Sequence, residues 1–405
     1  MAVGLLLNFM KKKLVLLLLP IKLREIDLLR YDIFQYEKKF KHHVEIHELI
    51  EFLHPGFSKS FLNTVKYKRF KSFKSFEVWR KYFLNLKKKY GKNIIIIKNI
   101  TNNNLNGLKV NYLIKKSNIN SVEFSVDQLP FDKEKFIKDY IQALFNNLFF
   151  NQKKIYFFLR RKFFNIIAEK MKIFPSHFIR TGNNIPKIYS KNNVKVINGN
   201  SFDYNMYLSS TKKKCKTKGN FGLFLEAPTP MFSGDIYIDG EKKDARGTPK
   251  KWFPSLNKFF SYIEKNEKIK IKIAPHPKVK HKKKYPNYYY GREIISEKLS
   301  DAAKKAKIFI TRDSAGLSFA AIHNRPAIMI FTNELLSKRN SFLQNQKFYA
   351  SKLGLEPINI DKPIDSEKLN KILKFKNKIY RIYKKNYLTT RSDKKRNFEL
   401  IGNLI

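Results

Sequence analysis

A histidine between two prolines follows a short apolar run in the second half of the chain, in the sequence APHPK at residues 274–278. The run before it, 268–274, alternates lysine with isoleucine, which is the pattern of a β-strand with one buried face. Proline fixes its own backbone φ angle, so the two prolines stiffen the loop and give His276 a defined direction. Because an imidazole N–H and the Lys278 ammonium both donate hydrogen bonds, the loop predicts a site for phosphate oxygens.

A second turn of small and polar residues, TRDSAG at 311–316, separates a predicted strand at 308–311 from a predicted helix at 314–323. Small residues let backbone N–H groups approach an anion, and a helix N-terminus favours negative charge. In open parallel sheets, ligands bind beyond the carboxyl ends of the strands, where both turns are predicted to lie. A plain helix cap is the alternative role for the aspartate and serine of this turn. The predicted anion-binding residues are His276, Lys278, Asp313, Ser314, Ala315 and Gly316.

Short apolar runs alternate with stretches of helical periodicity along most of the chain. In the first half, strands are predicted at 13–19, 44–50, 93–97, 112–114, 122–126, 178–180 and 194–197, and helices at 24–40, 70–90, 133–148 and 153–172. In the second half, strands are predicted at 221–225, 268–274, 308–311 and 327–331, and helices at 249–264, 296–306 and 314–323. This alternation predicts βαβ units and therefore an α/β fold with parallel sheets.

The length of 405 residues favours two domains, since domains typically contain about 100–200 residues. The stretch 209–220 is polar, basic and short of large apolar residues, as expected of a linker between domains. We therefore predict an N-terminal domain at 1–208, a C-terminal domain at 221–365 and a helical tail at 366–405. The two domains are expected to be Rossmann-like and to face each other across a cleft.

The chain carries 83 basic and 33 acidic residues, for a formal net charge of +50. Such a charge indicates a polyanionic partner, either nucleic acid or an anionic membrane surface. The alternative is a compositional bias, because Lys, Asn, Ile, Phe and Tyr are used heavily throughout. The sequence has no zinc-finger spacing, RNP-like aromatic motif or basic leucine zipper, so no specific nucleic acid is expected.

The single cysteine, Cys215, excludes an intramolecular disulfide and a thiolate metal cluster, which fits a reducing cytoplasm. The N-terminal apolar runs are too short to span a bilayer, which takes about 20 residues. We expect a cytoplasmic protein that reaches the inner membrane, if at all, from its surface. The basic tail carries aromatic residues that would dock on anionic lipid, and packing of the tail across the first domain is the alternative. These tail residues are Phe375, Tyr380, Tyr383 and Tyr387.

The order of these motifs resembles the donor domain of GT-B glycosyltransferases. A strand ends in His-Pro, the DSAG turn opens a helix, and Asn324-Arg325-Pro326 precedes the next strand. The pattern is closest to bacterial sialyltransferases and Kdo transferases, which use CMP-activated sugars, and the CDP-glycerol glycerophosphotransferases are similar. The resemblance covers about residues 221–335. It implies that His276 contacts the nucleotide phosphate and that the Ser314 turn holds the phosphate or the ribose.

The resemblance implies a GT-B glycosyltransferase that moves a sugar from a nucleotide-activated donor, with a CMP-type donor favoured, to a surface-glycan acceptor. Capsule, lipopolysaccharide or O-antigen synthesis would be its setting. The N-terminal domain would bind a glycan or lipid-linked acceptor, and the C-terminal domain the nucleotide-sugar. Two alternatives remain: a CDP-glycerol-type glycerophosphotransferase, and a basic nucleic-acid- or membrane-binding protein without catalysis.

An inverting transferase needs a general base for the acceptor hydroxyl, and in the resembling families it comes from the N-terminal domain. Glu25 and Asp27 follow the first predicted strand and are the candidates, with Asp27 preferred and helix capping as the alternative role of either acid. Glu226 ends the strand at 221–225 and is the third predicted catalytic acid. The sequence holds no metal-binding motif, because the clustered His42, His43 and His47 lack a suitable carboxylate pair, so neither a metal nor a cofactor is expected.

Further polar residues are predicted to line the acceptor side or the cleft. Asp235 and Arg246 lie in the long loop after Glu226, and loops of this length are usually functional. Asp203 follows the strand-like run at 194–197, near the predicted interdomain junction. The alternatives are an ordinary acidic surface loop for the first two residues and hinge packing for Asp203.

Overall fold

A computed structural model describes residues 13–55, 65–125, 130, 152–183, 189, 192–210, 219–232, 247–279, 288–338, 340–374 and 377–404. Several sequence predictions lie outside these residues. They are the helix at 133–148, most of the linker at 209–220, and Cys215, Asp235, Arg246 and Phe375. In the described part of the chain, no helix is long and apolar enough to span a membrane.

The first domain is built on a seven-stranded parallel sheet in the order β3-β2-β1-β4-β5-β6-β7. Its strands are β1 (Leu14–Leu19), β2 (His43–Glu48), β3 (Phe70–Ser72), β4 (Ile94–Lys98), β5 (Asn120–Phe124), β6 (His177–Thr181) and β7 (Lys195–Gly199). The central strands β1 and β4 are buried at every residue, with the sequences LVLLLL and IIIIK. Continuous apolar strands are expected where helices cover both faces of a parallel sheet.

The second domain has a five-stranded parallel sheet in the order β12-β11-β10-β8-β9. Its strands are β8 (Phe221–Leu225), β9 (Lys270–Ala274), β10 (Ile308–Thr311), β11 (Ala327–Phe331) and β12 (Ile358–Asn359). The strand order reverses next to β8, so the carboxyl ends of β8, β9 and β10 meet at one edge. Ligands of open α/β sheets bind at such an edge.

Helices cover both sheets. In the first domain they are α1 (Glu25–Arg30), α2 (Ile33–Phe40), α3 (Ile50–Leu53), α4 (Phe76–Tyr90), α5 (Leu105–Lys116) and α6 (Gln152–Lys170), followed by α7 (Phe202–Ser210) at the junction. The second domain has α8 (Pro249–Glu267), α9 (Leu299–Lys305), a 3₁₀ turn at Ala315–Leu317, α10 (Ser318–His323), α11 (Asn333–Lys338), α12 (Asn340–Lys352) and α13 (Ser366–Leu373). The chain ends with α14 (Asn377–Tyr383), a π-helical turn at Lys384–Leu388 and α15 (Asn397–Gly402).

Three sequence predictions of secondary structure are corrected. The predicted strand at 112–114 lies inside α5, which Asn104 caps by accepting the Gly107 N–H at 2.8 Å. The predicted helix at 24–40 breaks into α1 and α2 at Asp32, whose left-handed φ of 53° ends helical geometry. The predicted helix at 70–90 begins only at Phe76, because β3 pairs with β2. In the third case a strand pairing with a distant segment outweighed the local helical pattern.

The C-terminal segment returns to the first domain. Tyr380 and Tyr383 are buried in the core of the second domain, whereas Phe398 and Ile401 are buried in the core of the first. The tail therefore packs on both domains, with α14 on the second and α15 on the first, so packing across the first domain is confirmed only for the end of the tail. Docking of Tyr380 and Tyr383 on lipid is wrong, because both rings are enclosed by protein. Tyr387 packs beside the same core, and Phe375 lies outside the described residues.

The junction between the domains is a buried network of side-chain amides. Asn397 accepts the N–H of Asn200 at 2.9 Å and donates to the Asn200 carbonyl at 2.8 Å. Its own N–H donates to the side chain of Asn205 at 2.9 Å. Asn205 in turn donates to Asp32 at 2.7 Å, and Arg396 pairs with the same carboxylate. Burial raises the pKa of Asp32 to about 6, against the opposing effect of Arg396.

Replacing Asn397 by alanine should destabilise the protein by roughly 2–4 kcal/mol, because it leaves two buried backbone groups of Asn200 without partners. Urea unfolding followed by circular dichroism measures the loss. Asn403→Ala, at an exposed residue of the same terminal segment, is the matched control and should change stability little. Equal stabilities of the two variants would show that the amide network does not hold the junction.

Candidate functional site

The predicted anion site lies at the carboxyl edge of the second sheet. Glu226 directly follows β8, His276 lies two residues beyond β9, and Arg312 directly follows β10. Since β8 pairs with both β9 and β10, the three loops are neighbours. The structure therefore brings together the His276 loop and the Ser314 turn that the sequence predicted at one edge.

Glu226 is buried behind the histidine loop. Its Oε2 accepts the backbone N–H of His276 at 2.8 Å, and its Oε1 accepts the hydroxyl of Tyr289 at 2.5 Å. Only 4% of the residue is exposed, so the carboxylate does not face the cleft as the sequence suggested. A buried carboxylate with charge-assisted bonds fixes the start of the histidine loop.

The tautomer of His276 follows from its neighbours. The backbone N–H of Lys278 donates to His276 Nδ1 at 3.2 Å, so the proton of the neutral imidazole is on Nε2. The Lys278 ammonium lies 5.8 Å from the centre of the Phe232 ring. His276 thus presents an N–H donor, as a phosphate ligand requires.

Positive charge from both domains reaches His276. Burial lowers the pKa of His276 well below its ordinary value, and the charges of Lys278, Arg24, Arg30 and Arg312 lower it further. Two of these cations come from the second domain, and the other two are Arg24, just before α1 of the first domain, and Arg30, at the end of α1. The imidazole is therefore neutral at physiological pH and lies in a strongly positive interdomain cleft.

Arg24 and Arg30 border α1 at the carboxyl edge of the first sheet. Asp27 accepts from Arg24 Nε at 2.9 Å and from Nη2 at 2.6 Å, and it also accepts the Arg24 backbone N–H at 3.1 Å. Asp27 therefore caps the helix and orients Arg24, which was its alternative role, while Glu25 is exposed. The guanidinium of Arg30 lies 5.7 Å from the Phe202 ring, and its Nε is buried with no hydrogen-bond partner in the described part of the chain.

Arg312 is almost completely enclosed, with 1% exposure. Its guanidinium lies 5.4 Å from the Trp252 ring, and Nε donates to Asp313 Oδ1 at 3.2 Å. It also donates to the Thr229 hydroxyl, and Gln346 donates to its backbone carbonyl. Asp313, predicted to bind donor, instead pairs with this arginine and so fixes one cation at the strand end.

Backbone N–H groups of the Ser314 turn form hydrogen bonds within the turn. The Ser314 N–H donates to Thr311 Oγ1 at 3.0 Å, and the Gly316 N–H donates to Ser314 Oγ at 3.3 Å. The serine is thus the cap of the 3₁₀ turn, as its alternative role required. Two of the N–H groups expected to hold an anion are already bonded, and only Ala315 of the turn is exposed.

The cleft is closed on one side by apolar contact between the domains. Ile50 of α3 and Phe232 after β8 are buried against each other, with Ile21 and Val279 beside them. The loops that follow β1, β2, β8 and β9 therefore meet. The carboxyl edges of the two sheets face each other at this contact.

Asp203 does not line this cleft. It is 5% exposed on α7 and accepts the Ser318 hydroxyl of α10 at 2.6 Å. Burial raises its pKa, and the nearby Arg30 acts in the opposite direction. Because this bond joins the junction helix to the second domain, hinge packing is the role that the structure gives Asp203.

The described residues contain no group of three or more His, Cys, Asp and Glu side chains that could hold a metal. His47 belongs to a buried polar network in the first domain. It accepts from Trp79 Nε1 at 3.2 Å, and its Nε2 lies 2.9 Å from Glu45 Oε1. Tyr82 donates to the same carboxylate oxygen at 2.7 Å, so the histidine is packed within the fold.

Three arginines of the cleft were missed by sequence reasoning. Arg312 stands inside the TRDSAG turn, and its position at a strand end was a usable signal. Arg24 adjoins the two acids that were considered after the first strand. Arg30 gave no local signal, because a cation in the last turn of a helix is ordinary.

The two parallel sheets, their helical layers and the cleft between their carboxyl edges form an α/β fold of the GT-B type, with two Rossmann-like domains. No family model and no curated protein matches the sequence. Among solved structures, UDP-GlcNAc 2-epimerase from Methanocaldococcus jannaschii is 14% identical, with 97% of this chain and 99% of that chain covered and a TM-score of 0.47. MurG from Acinetobacter baumannii is 9% identical, with 97% and 99% covered and a TM-score of 0.44. The S. aureus MnaA–UDP co-structure is 10% identical, with 93% and 92% covered and a TM-score of 0.47.

The imidazole of His276 should remain neutral from pH 8 down to pH 6, since burial and four cations lower its pKa. Histidine-selective ¹⁵N NMR, with the signal assigned through His276→Gln, measures this directly. Arg30→Gln should raise the pKa of His276 toward its ordinary value, because one positive charge is removed. Arg381→Gln, at an exposed arginine of α14, is the control. A signal that titrates near the ordinary histidine pKa in the wild-type protein would contradict the cationic cleft.

Proposed function

We propose that the protein is a glycosyltransferase that takes a nucleotide-activated sugar as donor and transfers the sugar to a glycan acceptor. The observation that carries this proposal is the meeting of the loops that follow β1, β2, β8 and β9, where the positive charges of Arg24 and Arg30 act on His276 from the first domain. A nucleotide-sugar presents one or two phosphates between a base and a sugar. Charged donors on both sides of the cleft match such a ligand.

In this proposal the phosphate bonded to the transferred sugar, which departs with the nucleotide, accepts from His276 Nε2 and from the Lys278 ammonium. Arg24 and Arg30 approach the same phosphate from the first domain. Such preorganised charge stabilises the negative charge that develops on the leaving nucleotide as the glycosidic bond to it breaks. Asp27 holds the guanidinium of Arg24, and the Phe202 ring lies against that of Arg30.

The acceptor hydroxyl must lose its proton as it attacks the anomeric carbon. Of the three acids predicted as catalytic, Asp27 and Glu226 have their carboxylates bonded within the fold. Glu25 is the exposed one, in the first turn of α1 at the carboxyl edge of the first sheet. We therefore assign the general-base role to Glu25 and positioning roles to the other two.

The finer assignments extend the motif resemblance. A CMP-type donor is proposed from the order of the His-Pro loop and the DSAG turn, and a surface glycan of capsule or lipopolysaccharide type is proposed as acceptor. The reaction would proceed without a bound metal, since lysine, histidine and arginine supply the positive charge. The first domain would hold the acceptor opposite the donor.

Nucleotide binding tests the proposal. Isothermal titration of CMP, CDP, UDP, GDP and ADP should identify one nucleotide that binds. His276→Ala and Arg30→Gln should each weaken that binding about tenfold or more, since a hydrogen bond from or to a charged group contributes roughly 1.5–3 kcal/mol. His43→Ala, at a half-buried histidine of β2, is the matched control and should leave affinity unchanged.

Two results would contradict the proposal. Binding of none of the nucleotides, with all variants alike, would remove the donor site. Binding of duplex DNA or RNA that falls steeply with salt, and without competition by any nucleotide, would favour the charge-driven nucleic-acid interpretation. Thermal unfolding of each variant shows whether it is folded before its affinity is compared.

A further inference from the structure

Helix α6 exposes an apolar stripe to solvent. Tyr156, Leu159, Phe163 and Ile166 follow the spacing of one helix face, and they are 60%, 58%, 58% and 45% exposed. Met171, just beyond the helix, is 41% exposed. Singly exposed apolar residues are common on protein surfaces, but a continuous row of large ones marks an interaction surface.

The helix is already packed through its other side. Ala168 and Ile173 are buried with Leu108 of α5, and Phe164 and Ile167 lie against the same cluster. This face attaches α6 to the first domain. The exposed stripe is a second apolar face of α6, and Leu159, Phe163 and Ile166 of this stripe lie outside the described cluster.

The surroundings of the stripe are strongly basic. Residues 152–172 contain seven Lys and Arg residues and one acid, Glu169. Arg160 and Lys162 lie on either side of the stripe at helical spacing. The neighbouring helix α5 adds the exposed Lys115 and Lys116 and has no acidic residue.

The stripe also lies near the mouth of the cleft. Burial and the positive charge of Arg160 lower the pKa of His54, which ends α3. The same short helix α3 contacts the second domain through Ile50 and Phe232. The first half of α6 is thus next to the side of the cleft where the two domains meet.

We propose that this α6 face, formed by Tyr156, Leu159, Phe163 and Ile166 with Arg160 and Lys162 at its sides, docks on an anionic lipid bilayer. The apolar side chains would enter the boundary of the acyl region while the cations remain at the lipid phosphates, as in other interfacial amphipathic helices. A second copy of this chain is not expected to bind this face, because the α6 faces of the two copies would carry the same positive charge and repel each other. The proposal is independent of the reaction that the cleft performs.

A tryptophan placed in the stripe tests the contact directly. Both native tryptophans, Trp79 and Trp252, are buried, so Phe163→Trp adds the exposed reporter. Its emission should shift to shorter wavelength with phosphatidylcholine vesicles that contain phosphatidylglycerol, and not with phosphatidylcholine alone. Val78→Trp, on α4 at 58% exposure, should show no shift with either vesicle.

Co-sedimentation gives the second measurement. The double variant Leu159→Gln/Phe163→Gln should bind phosphatidylglycerol-containing vesicles at least about tenfold more weakly than the wild-type protein, because two apolar side chains no longer enter the bilayer. Val78→Gln/Ile382→Gln, with 58% and 52% exposure, is the matched control and should bind as the wild type does. Thermal unfolding shows whether each variant is folded. If the double variant is unfolded, the emission of Phe163→Trp is the measurement that tests the proposal.

Three outcomes would overturn the proposal. These are equal binding to neutral and anionic vesicles, unchanged binding of the Leu159→Gln/Phe163→Gln variant, and an emission shift from Val78→Trp equal to that from Phe163→Trp. A wild-type dimer in solution that dissociates in the same double variant would also overturn it, because the stripe would then be a protein interface.

Discussion

The hydrogen bonds between Asn200 and Asn397 join the two passages of chain between the domains, and the cleft depends on that junction. The first passage leads into α7, whose Phe202 is buried in the first core and whose Met206 is buried in the second. The second passage brings Phe398 back to the first core. Because amide groups without water must find partners within the protein, the two passages fix each other's position. That position sets how the carboxyl edges of the two sheets face each other.

The cations of the cleft are held in place before any ligand arrives. Asp27 binds Arg24 from the same side of the cleft, and Asp313 binds Arg312. Like charges in a partly buried space repel one another, and a phosphate between them would replace that repulsion by attraction. Since the side chains are already ordered, less conformational entropy is lost when the ligand binds. The acids next to the arginines are thus better explained as supports than as catalysts.

The proposed lipid surface and the proposed donor site occupy different parts of the molecule. The donor site depends on the second sheet and on α1, whereas the apolar stripe belongs to α6 of the first domain. Their common neighbour is α3, which lies near Arg160 and contacts Phe232. A lipid-linked acceptor held at the bilayer would reach the cleft from this side. The large positive charge of the chain would then attract two ligands that both carry phosphate groups, the nucleotide and the lipid.

Much of the fold was predictable from local pattern. The strands at 221–225, 308–311 and 327–331 were predicted with the bounds that the structure has. A short, continuous apolar run between turn residues is typical of a buried strand. The position of His276 and the Ser314 turn at one sheet edge also followed from sequence, since parallel strands place their carboxyl ends together. The short strand β3 and the break at Asp32 were missed, because each depends on a partner distant in the chain.

The sequence by itself determined two α/β domains, a stiff histidine loop and a small-residue turn that caps its own helix. Tertiary structure alone decided which charges are near one another: the positive charges of Arg24 and Arg30 act on His276 from the other domain, and Glu226 is buried behind the loop instead of facing the cleft. It also decided that Tyr380 and Tyr383 are core residues and that the exposed apolar surface is on α6. The reason is physical. The spacing of apolar residues shows which face of a helix or strand packs against the core. Contacts between distant segments leave no regular spacing in the sequence.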